Sequence, residues 1–192
     1  SFCTTCMGRL HHLRLTYLQN IEWALSYDRV EFVLLDYNSP DGLEDWAKQR
    51  LWPYIRKGTV SYCKTYRPSH FEMAKAKNVA ALLASGDIVC NLDADNFLGA
   101  GFVERVAKTV RSKTIAHTVV GGEIGVWGRI AMMREDFVGL GGYDERFVGY
   151  GCDDSDLVYR AIASGFEERS FPPQFSICLS HSNRERSEHL IG

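Results

Sequence analysis

Two aspartates flank a small residue at Asp93-Ala94-Asp95, directly after the apolar run Ile88-Val89-Cys90-Asn91-Leu92. A hard divalent cation wants carboxylate oxygens and leaves coordination positions open for substrate phosphates. Paired aspartates at a strand end meet that need, one taking the cation while the other orients substrate hydroxyls. The competing reading is a solvated loop in which an aspartate caps the next helix. A second acidic group, Asp153-Asp154-Ser155-Asp156, follows Gly149-Tyr150-Gly151-Cys152 and opens a helical stretch. A helix dipole stabilises carboxylates at its start, which accounts for one or two of the three. The glycine- and aromatic-rich approach goes beyond capping. A deprotonated aspartate at that place is a candidate general base on a substrate hydroxyl, with an aromatic ring nearby to stack on the substrate. His181 follows the stretch Phe175–Ser180. An imidazole suits manganese or another transition ion and suits magnesium poorly, although a lone histidine is more often a surface residue.

These groups need elements to hold them. Residues Ser1–Cys6, Val30–Asp36, Thr59–Thr65 and Asp87–Leu92 read as strands, and Val30–Asp36 is apolar almost throughout, as a parallel strand covered on both faces should be. Helices are expected over Leu10–Ser26, where Leu10, Leu13, Tyr17, Ile21 and Leu25 recur at helical spacing, and over Leu43–Tyr54, Phe71–Ala84 and Gly101–Arg111. Ser85-Gly86 puts a glycine where a helix carboxyl-terminal cap wants one. Ile115–Arg134 is glycine-rich and strand-like, Asp153–Ser164 is helical, and Phe166–Ser180 offers two short strands around Pro172-Pro173. Strand–helix alternation over the first 110 residues implies a mainly parallel sheet with helices on both faces. Ligands of such sheets bind beyond the carboxyl ends of the strands. Asp36 and Asp93, both at predicted strand ends, should therefore line one crevice.

The chain has 192 residues, 45% hydrophobic and 24% charged, with a net charge of −2. This suits one globular domain and argues against a nucleic-acid binder, since no basic block is present. No apolar run approaches the roughly 18–20 residues that span a bilayer. The absence of an initiator Met points to trimmed termini. Cys3, Cys63, Cys90 and Cys178 sit in strand-like runs and read as small buried hydrophobes of a reducing, cytoplasmic or membrane-peripheral location. Cys3 and Cys6 have zinc-like spacing, but a strand would point them to opposite faces. The polar tail Arg184-Glu185-Arg186-Ser187-Glu188 reads as a solvated end, with a lid over an acceptor as the alternative.

Taken in order, these motifs resemble glycosyltransferases of the GT-A fold over nearly the whole chain. Asp36-Tyr37-Asn38-Ser39-Pro40-Asp41-Gly42, Ala74-Lys75-Ala76-Lys77-Asn78 and Ala84-Ser85-Gly86-Asp87-Ile88-Val89 before Leu92-Asp93-Ala94-Asp95 are similar to family 2. Gly128-Arg129-Ile130-Ala131-Met132, Leu140-Gly141-Gly142-Tyr143-Asp144-Glu145-Arg146-Phe147 and Gly149–Leu157 resemble a carboxyl-terminal segment. It is the segment of β-1,4-galactosyltransferases, polypeptide N-acetylgalactosaminyltransferases and bacterial chondroitin polymerases.

The resemblance implies a single α/β domain, with a nucleotide-binding half over 1–110 and an acceptor-binding, catalytic half over 111–192. It implies a metal-dependent inverting transfer of a hexose or N-acetylhexosamine from a UDP-sugar to an acceptor hydroxyl, with Mn2+ (or Mg2+) as cofactor. Asp95, with Asp93 and His181, would hold the metal. Asp154 would be the base and Asp153 would hold the acceptor, a carbohydrate or other hydroxyl-bearing molecule. Thr5, Arg9, Asp36, Asp93 and Ala94 would contact the donor, and Trp127, Tyr150 and Gly151 the sugar or acceptor. Three departures stand out. Asp153-Asp154 replaces the usual Glu-Asp, Tyr150 replaces a tryptophan, and Met73 replaces a phosphate-side arginine, for which Lys75 or Lys77 is a candidate substitute. Rival readings are a nucleotidyltransferase acting on sugar phosphates, disfavoured by the single glycine in Cys6-Met7-Gly8-Arg9, and a non-catalytic carbohydrate-binding domain.

Overall fold

Alternate residues of one buried strand face two different cores. Phe32 and Leu34 pack on one side of the sheet, Val33 and Leu35 on the other, as the two-residue period of a strand requires. Cys3 and Cys6 divide in the same way, which removes them as a chelating pair. The computed structural model describes residues 1–118, 127–180, 182, 185 and 188–190. His181, most of the polar tail and the centre of the predicted Ile115–Arg134 stretch lie outside them.

The strands are β1 (Phe2–Cys6), β2 (Phe32–Tyr37), β3 (Val60–Thr65), β4 (Ile88–Asn91), β5 (Asn96–Phe97), β6 (Thr114–Thr118), β7 (Ile130–Met133), β8 (Glu167–Phe171) and β9 (Ile177–Cys178). The helices are α1 (Leu10–Ala24), α2 (Leu43–Arg50), α3 (Trp52–Arg56), α4 (Met73–Leu83), α5 (Phe102–Thr109), α6 (Arg134–Gly139) and α7 (Asp153–Ala163). Seven strands form one sheet in the order β3-β2-β1-β4-β7-β6-β8. β1 pairs parallel with β2 and β4, β2 with β3, and β6 with β8, while β7 runs antiparallel to both β4 and β6. The sheet is therefore mixed and mainly parallel, as expected. From β1 the chain proceeds outward to β2 and β3, then returns to lay β4 on the opposite side of β1. That reversal is the topological switch point where such sheets open a ligand crevice.

One core joins α1, α2 and α5 to the sheet through Leu13, Tyr17, Leu43, Phe102 and Val106. The other joins α4, α6 and α7 through Ala76, Ala80, Phe137, Leu157 and Ala161. Small alanines let α4 lie close to the strands, which matters because α4 also carries Lys77.

The expected helix over Leu43–Tyr54 divides at Leu51, because Pro53 lacks the N–H that an uninterrupted helix needs. Gly86 is not a left-handed cap. The helix ends at Ala84 in an extended conformation, and Gly86 instead donates its N–H to Ser1 Oγ at 3.0 Å. Helix α6 and strand β5 have no counterpart among the expected elements. Each is short and gains its order from neighbours, β5 by pairing with β9.

Candidate active site

The carboxyl ends of β1 and β4 open onto a cavity of about 380 Å³. Thr5 and Arg9 reach it from β1 and the turn after it, and Asp93, Ala94 and Asp95 from the loop after β4. Trp127 and Gly128 line it ahead of β7, and Tyr150, Gly151, Asp153 and Asp154 from the approach to α7. The two acidic groups noted in the sequence thus share one wall.

Helix α1 holds the Asp93–Asp95 loop in place. Thr16 Oγ1 donates to the Ala94 carbonyl at 2.6 Å, Asn20 Nδ2 donates to the Asn96 carbonyl at 2.8 Å, and Asn20 Oδ1 accepts from Leu98 N at 2.8 Å. Thr16 and Asn20 are buried polar residues, so their hydrogen bonds are the reason such groups are tolerated in a core. The Asn96 N–H closes the turn on the Asp93 carbonyl at 3.0 Å. From the other side, Arg129 is fully buried and donates to Asn96 Oδ1, to the Phe97 carbonyl and to the Phe175 carbonyl, with its guanidinium over the Phe102 ring. Leu179 N donates to the Asp95 carbonyl at 2.8 Å, so the end of β9 passes beside the motif.

Gly128 is the spacer between the two acidic groups. A Cβ on this residue would lie 2.7 Å from Asp93 Oδ2 and 3.1 Å from Asp154 Oδ2. Asn91 Nδ2 bridges the same place, donating to Asp93 Oδ1 at 3.0 Å and to the Gly128 carbonyl at 2.8 Å. Burial raises the Asp93 carboxyl to about 6; Lys77 opposes the rise, and Asp95 and Asp154 add to it. Burial also pushes Asp154 above the usual carboxylate range, again against Lys77.

Lys77 lies between α4 and α7 with its side chain 4% exposed. Its ammonium donates to Asp153 Oδ2 at 2.7 Å and Asp154 Oδ1 at 2.8 Å, and stands 4.9 Å from the centre of the Tyr143 ring. Burial pulls the Lys77 pKa down, but Asp154, Tyr143 and Asp153 overcome it, and the net direction is upward. The lysine therefore stays charged. Lys77 lines the cavity as expected of a donor contact, with its ammonium paired to two carboxylates.

Asp36 stands on β2 as predicted, is fully buried and is not among the residues that line the cavity. Its Oδ1 accepts from Ser39 N and its Oδ2 from the Tyr62 hydroxyl, each at 2.7 Å, with Lys64 3.7 Å away. Tyr62 and Lys64, on the neighbouring β3, draw the carboxylate toward themselves.

One correction concerns the tail. Glu185, His189 and Leu190 line the cavity. Arg9 donates to the Glu185 carbonyl, the His189 carbonyl accepts from Phe71 N at 2.6 Å, and a Cβ on Gly8 would run into the His189 ring. Glu185, His189 and Leu190 of the described tail therefore lie along the cavity, while Ser182 and Glu188 are exposed. The tail also creates the one group of three metal-ligating side chains found among the described residues, His11, His12 and Glu185, whose ligand atoms lie within 4.8 Å of one another. The Arg9 guanidinium at the same segment sets a fixed positive charge against any cation there.

Sequence reasoning missed Thr16, Asn20, Asn91 and Arg129. The only available signal was polarity at apolar positions of an amphipathic helix or strand, and it does not say what the polar group meets.

A family model described as the N-terminal domain of galactosyltransferase matches residues 105–184, less than half of the chain. No curated protein matches the sequence. The chain is similar in structure to the mannosyltransferase PcManGT from Pyrobaculum calidifontis in complex with GDP-Man and Mn2+. The TM-score is 0.73 at 21% identity, covering 96% of this chain and 57% of that one. It is similar to S. aureus TarS in complex with UDP-GlcNAc, at TM-score 0.64 and 12% identity, covering 83% of this chain and 52% of that one. It is also similar to GalNAc-T7 with UDP, GalNAc and Mn2+, at TM-score 0.66 and 17% identity, covering 90% of this chain and 42% of that one. The chain thus spans about half the length of these solved chains. Among the described residues no helix is long and apolar enough to cross a membrane. The chain therefore has the GT-A fold of these solved structures, and its residues 105–184 match the galactosyltransferase-domain family model.

Proposed function

We propose that this chain transfers a hexose or N-acetylhexosamine, with inversion, from a nucleoside-diphosphate sugar to an acceptor hydroxyl, and that it needs a divalent metal. The convergence of Asp93, Asp95, Asp153 and Asp154 on one cavity at the β1/β4 switch point carries the reading. Residues 1–110 serve the nucleotide and residues 111–192 the acceptor and the chemistry.

The cavity's donor set fits a hard or borderline cation. Five carboxylates, Asp93, Asp95, Asp153, Asp154 and Glu185, face two fixed positive charges, Arg9 and Lys77, among the described lining residues. That excess of negative charge in a half-enclosed site suits Mn2+ or Mg2+ with a diphosphate. Asp95 and Asp93 would hold the ion. His181 is the proposed third ligand: in the chain it comes two residues after Leu179, whose N–H donates to the Asp95 carbonyl. When bound, the metal neutralises the leaving nucleoside diphosphate.

The remaining steps belong to side chains. Asp153 and Asp154 receive the acceptor, and Trp127 and Tyr150, 43% and 57% exposed at the cavity, offer faces for sugar rings. Asp154 Oδ2 takes the hydroxyl proton as the acceptor oxygen forms its bond to the anomeric carbon. The bond from that carbon to the diphosphate oxygen breaks, and its electron pair leaves with the diphosphate. Similar structures hold GDP-Man in one case and UDP or UDP-GlcNAc in others; UDP is the proposed donor nucleotide. The test combines Mn2+-dependent transfer from UDP- and GDP-sugars with Asp154→Asn. That variant should bind UDP with Mn2+ as the parent does and lose transfer by on the order of 10²-fold or more. Wild-type transfer in Asp154→Asn would exclude Asp154 as the base.

A further inference from the structure

A buried ammonium that touches both acidic residues at the start of α7 does more than solvate a helix. Asp153 and Asp154 are successive residues of α7, so their side chains leave the helix about 100° apart. One group holding both must pull them to a common side. Lys77 does this from α4, 76 and 77 positions earlier in the chain, at 2.7 and 2.8 Å. The remaining neighbours of Lys77 on the buried face of α4 are Ala74, Ala76, Asn78, Ala80 and Ala81, none of them charged.

The contact also distinguishes the oxygens. Lys77 occupies Asp154 Oδ1 and Asp153 Oδ2. Asp154 Oδ2 lies on the Gly128 side, where a Cβ would meet it at 3.1 Å, and the Tyr143 side chain is a further hydrogen-bond partner of this carboxyl. We propose that Lys77 is a positioning residue for the transfer step: it anchors Asp154 through Oδ1, so that Oδ2 is the oxygen offered to the acceptor hydroxyl, and it ties Asp153 to the same point. This rests on Asp154 being the base. Lys77 then acts on the acceptor side of the reaction and leaves donor binding alone. Lysine is suited to the place because a compact ammonium can donate to two carboxylates in different directions, whereas a planar guanidinium demands a fork-shaped partner.

The test uses Lys77→Met, Lys77→Arg, Asp154→Asn and the double variant Lys77→Met/Asp154→Asn in the full chain. UDP binding with Mn2+ is followed by calorimetry. Transfer is followed as UDP release from UDP-N-acetylgalactosamine or UDP-galactose, with water and with a panel of p-nitrophenyl glycosides as acceptors. Lys77→Met should lower kcat by on the order of 10²-fold, with UDP affinity changed by less than about threefold. In the Asp154→Asn background the same substitution should cost nothing further, because its effect runs through Asp154. Equal losses in both backgrounds, or lost UDP affinity with kcat intact, overturn the proposal. If Lys77→Met does not fold, Lys77→Arg decides: it keeps the charge that the carboxylates require and should bind UDP normally with kcat down about tenfold. An unchanged kcat in Lys77→Arg then overturns the proposal. Wild-type transfer in Asp154→Asn removes the base assignment and this proposal with it; an inactive Asp154→Asn beside fully active Lys77 variants removes only the positioning role.

Discussion

Thr16 and Ala94 are joined by a 2.6 Å hydrogen bond from hydroxyl to carbonyl, which fixes the centre of the Asp93–Asp95 motif to the helix that follows β1. The two aspartates flank that anchored peptide and cannot drift independently of α1. The motif is rigid because a neighbouring element holds its backbone, while Asn91 and Asn96 each donate to one of its carboxylates.

Thr16→Val keeps the side chain's shape and removes the donor. The Ala94 carbonyl would be left buried and unpaired, at a cost of about 1–3 kcal/mol. Urea unfolding should show that loss. Calorimetry should show Mn2+–UDP affinity reduced by about tenfold, the lower end of what supporting contacts to a metal site are worth. Undiminished affinity would mean that the loop keeps its shape without α1.

Gly128→Ala should separate stability from turnover. The added methyl meets Asp93 Oδ2 at 2.7 Å and Asp154 Oδ2 at 3.1 Å, so the two carboxylates must move apart. Thermal unfolding should change little, and transfer should fall at least tenfold, since misplacement by a fraction of an ångström is costly in a reaction that depends on alignment.

Arg129 should matter to stability first. Replacement by Met removes the guanidinium that donates to Asn96 Oδ1 and to the carbonyls of Phe97 and Phe175. A loss of about 3 kcal/mol or more is expected. The conservative change Arg129→Lys should recover only part of it, because one ammonium cannot reproduce the spread of the guanidinium. Denaturant titration of both variants is the measurement.

The metal-free protein should be pH-sensitive through Asp93. Its carboxyl rises from 3.8 to about 6, first through burial. The folded state therefore holds that proton more tightly than the unfolded state. The associated stability is complete below about pH 3.8 and is lost as pH rises through about 6. Melting temperatures of the parent minus those of Asp93→Asn, taken from pH 4 to 7, should fall across that window. Mn2+ affinity should rise over the same range, because binding must displace the proton. A flat difference would place the proton elsewhere.

Much of this was legible in one dimension. The apolar run before Asp93 read as a buried strand, and Asp153-Asp154 after a glycine-rich approach as the opening of a helix, because pattern and capping are local properties. The order of strand and helix signals fixed the fold class, and with it the end of the sheet where ligands bind. Other assignments depended on which elements became neighbours. Asp36 reached its predicted strand end, where Tyr62 of β3 donates to its carboxylate. The composition of the tail suited a solvated end, yet Glu185 and His189 found Arg9, Gly8 and Phe71 across the mouth. Lys77 read as a candidate phosphate contact or as a solvated charge. The packing of α4 against the start of α7 set two carboxylates against it, 76 and 77 residues away. The sequence by itself determined which residues carry charge and which element bears each of them. Only the tertiary structure decided what each charge faces, because side-chain partners are chosen by elements far apart in the chain that meet only once the sheet is assembled.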